Sequence, residues 1–163
     1  MLDVSTIRVR PEVRDACTAD TCKAYNKTWS CPPGCGTLAE CETKIRNYKT
    51  GILLQTTGKL EDSLDYEMME QTGMEHGTNL DEFTKEIKKL YPSWGKQPLV
   101  IGAGACTRCV NCTYPGSPCR FPNDMRISME ALGMVISEVC KDNNLPYYYG
   151  PNTLTYTGCI LFE

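Results

Sequence analysis

Imidazole is nearly absent from this chain: among 163 residues there is one histidine, His76. One imidazole cannot furnish the histidine ligand sets of hydrolytic zinc sites, so that chemistry is excluded. No Ser–His–Asp pattern and no phosphate-cradling glycine loop can be assembled either. Long apolar runs are missing as well. The opening M-L-D-V-S-T-I-R-V-R-P has no stretch that would make a leader or a membrane span, so neither is expected. Basic excess is also lacking. The formal net charge of −3 leaves no electrostatic footprint for nucleic acid. Lys85, Lys88 and Lys89 do cluster, but they read as the solvated outer face of a helix. No internal repeat and no low-complexity linker interrupts the chain. A composition of 41% hydrophobic and 23% charged residues fits one globular domain, residues 1–163, with one core.

What the chain has in excess is cysteine, eleven in all. With no leader expected, that number argues for metal or redox chemistry in a reducing compartment, the cytoplasm, rather than for a disulfide framework. Four of the eleven fall in one loop, Cys106, Cys109, Cys112 and Cys119, within C-T-R-C-V-N-C-T-Y-P-G-S-P-C. Two-residue gaps let the first three thiolates wrap one side of a metal centre, and the fourth can close the shell or reach a neighbouring one. Ferredoxin-type iron–sulfur loops follow this logic, although their last gap is usually three residues. Zinc sites use C-x-x-C pairs too, but usually as two knuckles far apart in sequence. A [4Fe-4S] cluster is therefore the expected occupant, with zinc as the alternative. A thioredoxin-like dithiol at Cys106 and Cys109 leaves the third cysteine without a role.

A second group, Cys17, Cys22, Cys31, Cys35 and Cys41, is less regular. Cys17, Cys22, Cys31 and Cys41 can ligate a second cluster, with Cys35 spare or substituting. Some can instead complete the first site or pack in the core. Pro32 and Pro33 stiffen the turn after Cys31. The 17–41 segment and the 106–119 loop are expected to pack near each other. Cys140 and Cys159 stand apart and read as core thiols.

The hydrophobic pattern supplies the frame. Thr37 and Glu40 form a capping box that starts a helix over about 38–49, with Gly51 as its C-cap and Cys41 in its first turn. Ile52–Thr57 reads as a buried strand. Leu80, Phe83, Ile87 and Leu90 recur at helical spacing. The phase extends back through His76 and Gly73 or Thr72 to Met69, giving one long helix over about 63–90 that Pro92 ends. Pro98–Gly104 reads as a strand running into the cysteine loop. Ser128 caps a helix over about 129–142, with Met129, Leu132, Ile136 and Val139 on its apolar face. Thr153–Phe162 alternates as a last strand, with Leu154, Tyr156, Ile160 and Phe162 on one face, and Tyr147–Tyr149 reads as a further short strand. Strands separated by helices give an α/β or α+β fold, a small mixed-sheet sandwich carrying cysteine-rich metal loops.

Several long strings coincide: W-S-C-P-P-G-C-G-T-L-A-E-C from Trp29 to Cys41, C-T-R-C-V-N-C-T-Y-P-G-S-P-C-R-F-P from Cys106 to Pro122, S-M-E-A-L-G from Ser128, and Y-Y-Y-G-P-N-T-L-T-Y-T from Tyr147. Together they resemble a bacterial and archaeal family labelled predicted metal-binding, domain of unknown function 2284. The resemblance runs from about Cys17 to the end. It implies a cysteine-ligated metal and carries no substrate, partner or reaction.

Three functions follow as expectations. The first is an intracellular electron carrier with one or two [4Fe-4S] clusters and a protein redox partner, touching neither nucleic acid nor membrane. The second is an iron–sulfur enzyme with an open iron site or a reactive spare cysteine such as Cys35. The third is an interaction module stapled by zinc. Around the loop, Arg108, Arg120 and Arg126 either offset cluster charge, dock an acidic partner or are ordinary surface arginines. Gly102-Ala-Gly104 lacks the last glycine of a dinucleotide motif, so it reads instead as close backbone approach to the metal centre. His76 reads as a satisfied, partly buried histidine rather than a ligand or general acid.

Overall fold

A computed structural model describes residues 1–90 and 96–163, the Leu90 side chain excepted; Pro92, expected to end the long helix, lies outside them. The described elements in chain order are β1 (Leu2–Asp3), α1 (Pro11–Ala16), α2 (Leu38–Arg46), β2 (Thr50–Lys59), α3 (Tyr66–Leu90), β3 (Leu99–Gly102), β4 (Ile127–Ser128), α4 (Ile136–Asp142) and β5 (Thr153–Phe162). They make an α+β fold around one five-stranded mixed sheet, ordered β1-β2-β5-β3-β4. Only the β3–β4 pair is parallel.

Strand β5 is the axis of the sheet, because it pairs along its whole length with β2 and at its end with β3. Its alternation sends successive side chains to opposite faces. Ile160 and Phe162 join Leu80 and Ile87 of α3 on one face. Cys159 and Leu161 join Ile7, Cys35, Cys41, Ile45, Met129 and Leu132 on the other. The expected shared face of Tyr156, Ile160 and Phe162 is the α3 face, where the Tyr156 hydroxyl donates to the Met69 carbonyl at 3.1 Å. Full burial of Leu80 and Ile87 stabilises the α3 contact by about 1.5–3 kcal/mol each.

The local chemistry behaves as the residues dictate at several ends. The Thr37–Glu40 capping box forms in both directions. Helix α3 starts at Tyr66 rather than 63, because the Asp65 carboxylate accepts the Met68 N–H at 3.1 Å and sets the first turn. Phe83, expected on the buried stripe, is 46% exposed; the buried stripe is Thr72, His76, Leu80 and Ile87.

Other boundaries move. Gly51 is not the C-cap of α2: Asn47 takes that place, and the chain is already paired in β2 opposite Leu161. The helix expected from 129 begins only at Ile136. Ser128 caps a turn instead, its hydroxyl accepting the Ala131 N–H at 3.1 Å. Gly133 then leaves the turn at φ +79, a left-handed conformation that breaks helical continuation. Met134 follows by bridging to Val9. Tyr147–Tyr149 is not a strand. Pro146 and Pro151 bracket it without N–H groups to offer a ladder, and the Tyr149 hydroxyl donates to Gln55 Oε1 at 2.5 Å.

Gly158 marks a close approach of α3 to the central strand of the sheet. A Cβ there would meet the Ile101 carbonyl at 2.7 Å, His76 Nε2 at 3.0 Å and Leu80 Cδ1 at 3.1 Å. Gly158→Ala should cost about 1–3 kcal/mol by overpacking. Urea unfolding checks this: the midpoint should fall with the slope unchanged, and an unaltered midpoint would contradict the tight α3–β5 contact.

Candidate metal centre and adjoining cavity

Strands β3 and β4 are parallel neighbours, so the chain between them must cross back over the sheet. Such crossovers usually contain a helix. Here residues 103–126 contain none, and a structureless connection of that length in a compact fold is usually functional. Its order comes from polar ties. Arg120 Nη1 donates to the Asn111 carbonyl at 2.8 Å, the Thr113 hydroxyl to the Pro118 carbonyl at 2.9 Å, and Arg108 Nε to the Asp124 carbonyl at 3.0 Å.

Further ties join this loop to the 17–41 segment. The Ser30 hydroxyl accepts the Cys106 N–H at 3.0 Å. Trp29 Nε1 donates to the Ser117 carbonyl at 3.0 Å, and the Tyr114 hydroxyl to Asn26 Oδ1 at 2.9 Å. The Trp29 and Tyr114 rings meet edge to face at 4.9 Å.

Under these contacts Cys106, Cys109, Cys112 and Cys119 line one small void together with Trp29 and Met125. All four thiols are free. Soft thiolates around a shared space suit iron–sulfur or zinc chemistry. Among the described residues, no three His, Cys, Asp or Glu side chains are grouped so as to hold a single metal ion. The loop thiols border a common space instead of meeting at a point.

The N-terminal cysteines divide into two sets. Cys17, Cys22 and Cys31 line a largely apolar pocket of about 470 Å³ walled by Tyr25, Pro32 and Ala131. Burial, then the neighbouring Cys22 and Cys31 thiols, push the Cys17 thiol up. Cys35 and Cys41 are instead paired in the core. The Cys41 thiol donates to the Cys35 carbonyl at 3.6 Å, and Arg14 Nη1 donates to the Cys41 sulfur at 3.2 Å. Arg14 also binds the Gly36 carbonyl. The Cys35 thiol and then Arg14 hold the Cys41 thiol down to about 6, against its burial. Cys35 moves up correspondingly. Cys140 and Cys159 are both buried; burial alone pushes the Cys159 thiol up to about 12.

A larger cavity of about 510 Å³ opens beside Cys106, between α3 and the end of β3. Asp81 of α3 anchors its far wall by binding both Arg108 and Arg126, the latter at 2.5 Å. His76 lies on the same wall at 2% exposure. The expectation of a satisfied histidine holds for half the ring: Nδ1 is 3.1 Å from the Thr56 hydroxyl, while Nε2 has no partner among the described residues. Of the three arginines, Arg108 and Arg126 are tied to the cavity and only Arg120 is exposed. The sequence reading missed Asp81 and the cavity. Its signal was present, because Gly73, Gly77 and Asp81 recur every fourth residue and so run along one face of α3.

The family described as Predicted metal-binding protein (DUF2284) matches residues 1–162, so the chain belongs to that family. No curated protein and no solved structure matches it.

Burial, then the positive charge of Arg126, lowers the His76 imidazole to about 4. An unfolded histidine titrates near ~6.5. Between those values the unfolded chain binds a proton that the folded chain does not. The stabilisation from a neutral His76 is therefore full above about pH 6.5 and falls away toward about pH 4. Urea midpoints of the wild type and His76→Gln should accordingly diverge across this window. The wild type should lose more stability on acidification, and parallel curves would refute the assignment.

Proposed function

For a member of this metal-binding family, we propose an iron–sulfur redox protein whose 106–119 loop holds a [4Fe-4S] cluster through Cys106, Cys109, Cys112 and Cys119. The observation that carries this reading is the common void lined by all four thiols. A cluster bound there supplies one-electron transfer. The chain's own residues do the rest. Ser30 fixes the start of the loop by accepting the Cys106 N–H. Trp29 and Met125 cover the void with apolar surface and limit water access. Arg108 and Arg126 lie within electrostatic range of Cys106, and positive charge there favours the more reduced, more negative state of a thiolate-ligated centre. A reducing compartment and a protein redox partner complete the proposal.

Cys17, Cys22 and Cys31 are the donors proposed for a second centre, with Cys35 or Cys41 as the fourth. A second reading, an iron–sulfur enzyme, is favoured by one observation. Three thiols face the apolar pocket while Cys35 and Cys41 are engaged with each other and Arg14. A centre with three protein ligands leaves one corner for substrate.

Protein purified without oxygen should be brown, with about eight irons and eight acid-labile sulfides per chain for two cubanes or about four for one. Cys109→Ser should lower the iron content, whereas Cys140→Ala should leave iron and the visible spectrum unchanged. Colourless protein with stoichiometric zinc would overturn the redox reading in favour of a zinc-stapled interaction module.

A further inference from the structure

The cavity beside Cys106 has features that ligation of a metal does not require. Two buried donors on its wall, His76 Nε2 and Arg126 Nε, have no hydrogen-bond partner among the described residues. Native folds rarely leave such groups unmade, because each has lost its water without a replacement. Hydrogen bonding also orders the imidazole. Asn79 Nδ2 donates to the Thr56 hydroxyl at 3.2 Å, and that hydroxyl lies 3.1 Å from His76 Nδ1. The Thr56 proton finds its acceptor if it is given to Nδ1, which puts the ring hydrogen on Nε2 and makes the orphan atom a donor.

Charge points the same way. Arg108 and Arg126 share the single carboxylate of Asp81, so this half-buried cluster carries one unmatched positive charge. The remaining carboxylate at the cavity, Glu70, is exposed at its rim. Shape is consistent too. A Cβ at Gly77 would come within 2.9 Å of Arg126 Nη1, so this glycine makes room for the guanidinium. Met74, Leu80, Ala103, Ala105 and Tyr156 give the cavity an apolar body, and its volume of about 510 Å³ is in the range of small-molecule sites.

We propose that this cavity binds a small organic carboxylate, with the anionic head on Arg126 and His76 Nε2 and a short apolar body against Leu80 and Tyr156. The site adjoins Cys106, and so would set a ligand beside the metal-binding loop. The inference rests on the protein donors and does not depend on which metal the cysteines hold. The competing account is that the arginines serve only to balance thiolate charge, in which case no carboxylate would be retained.

Calorimetry on the intact, anaerobically purified protein distinguishes the two. The ligands are acetate, butyrate, benzoate, neutral butyramide and inorganic phosphate. Butyrate or benzoate should bind saturably, one per chain, more tightly than acetate, and at least ~10-fold more tightly than butyramide, a factor set by the lost charged hydrogen bond. Arg126→Gln should weaken binding by at least ~10-fold. Gly77→Ala, which presses a methyl group on the guanidinium and leaves every charge in place, should also weaken it and keeps the test decisive if Arg126→Gln does not fold. Absence of saturable binding, butyramide binding as well as butyrate, or both variants binding like the wild type would overturn the site. Phosphate binding as tightly as the carboxylates would overturn the carboxylate assignment. Metal analysis of the same samples separates this result from the cluster reading, since binding can fail with metal content intact and persist without iron.

Discussion

The pairing of β3 with β5 is the constraint on which the rest of the molecule depends. Ile101 lies opposite Cys159 and Val100 opposite Ile160, so β3 is held against the buried half of β5. That register fixes where the chain leaves the sheet after Gly102 and therefore where Cys106 begins. It also divides the chemistry between two faces. Toward α3, β5 presents Tyr156 and the bare backbone of Gly158, which lets His76 settle on the sheet and leaves a cavity beside it. Toward the other face it presents Cys159 and Leu161 to the core that contains Cys35 and Cys41. The cysteine loop emerges at the junction of the two.

Electrostatics then hold the irregular parts where hydrophobic burial cannot. The 103–126 crossover has little core of its own, and Arg108 ties it to α3 through Asp81 and to itself through Asp124. Arg14 plays a comparable part for the N-terminal segment, joining α1 to the Cys41 sulfur and the Gly36 carbonyl. Each arginine reaches toward a thiol-rich neighbourhood. A cation beside thiols favours their anionic form, and Arg14 acts this way on the Cys41 thiol, second to the hydrogen bond from the Cys35 thiol. The same placement lets bound negative charge at the loop be balanced by groups already fixed in the fold.

Much of the frame was legible in the sequence because it rests on local patterns. The Thr37–Glu40 box, the α3 periodicity through His76 and Leu80, and the alternation of β5 each state their structure within a dozen residues. The errors came where a local signal had two uses. Ser128 is as good a turn cap as a helix cap, and Gly133 decided for the turn. Gly51 suits a helix end or a closely packed strand, and pairing with Leu161 decided for the strand. At the candidate site, the cysteine spacing pointed to the loop and the Gly73–Gly77–Asp81 repeat marked one helical wall of the cavity, but the contacts that complete it join distant partners: Asp81 with Arg108 and Arg126, and Thr56 with His76. Nothing in the spacing of these residues along the chain brings them together. The sheet register and the approach of α3 to Gly158 do so.

Mössbauer spectroscopy of protein grown on ⁵⁷Fe and purified without oxygen tests the central claim most directly, because it reads iron in every redox state. The account predicts iron in tetrahedral sulfur coordination with the delocalised valence of a cubane, reduced or abolished in Cys109→Ser. Protein that carries no such iron, while folded and with its thiols intact, would contradict it.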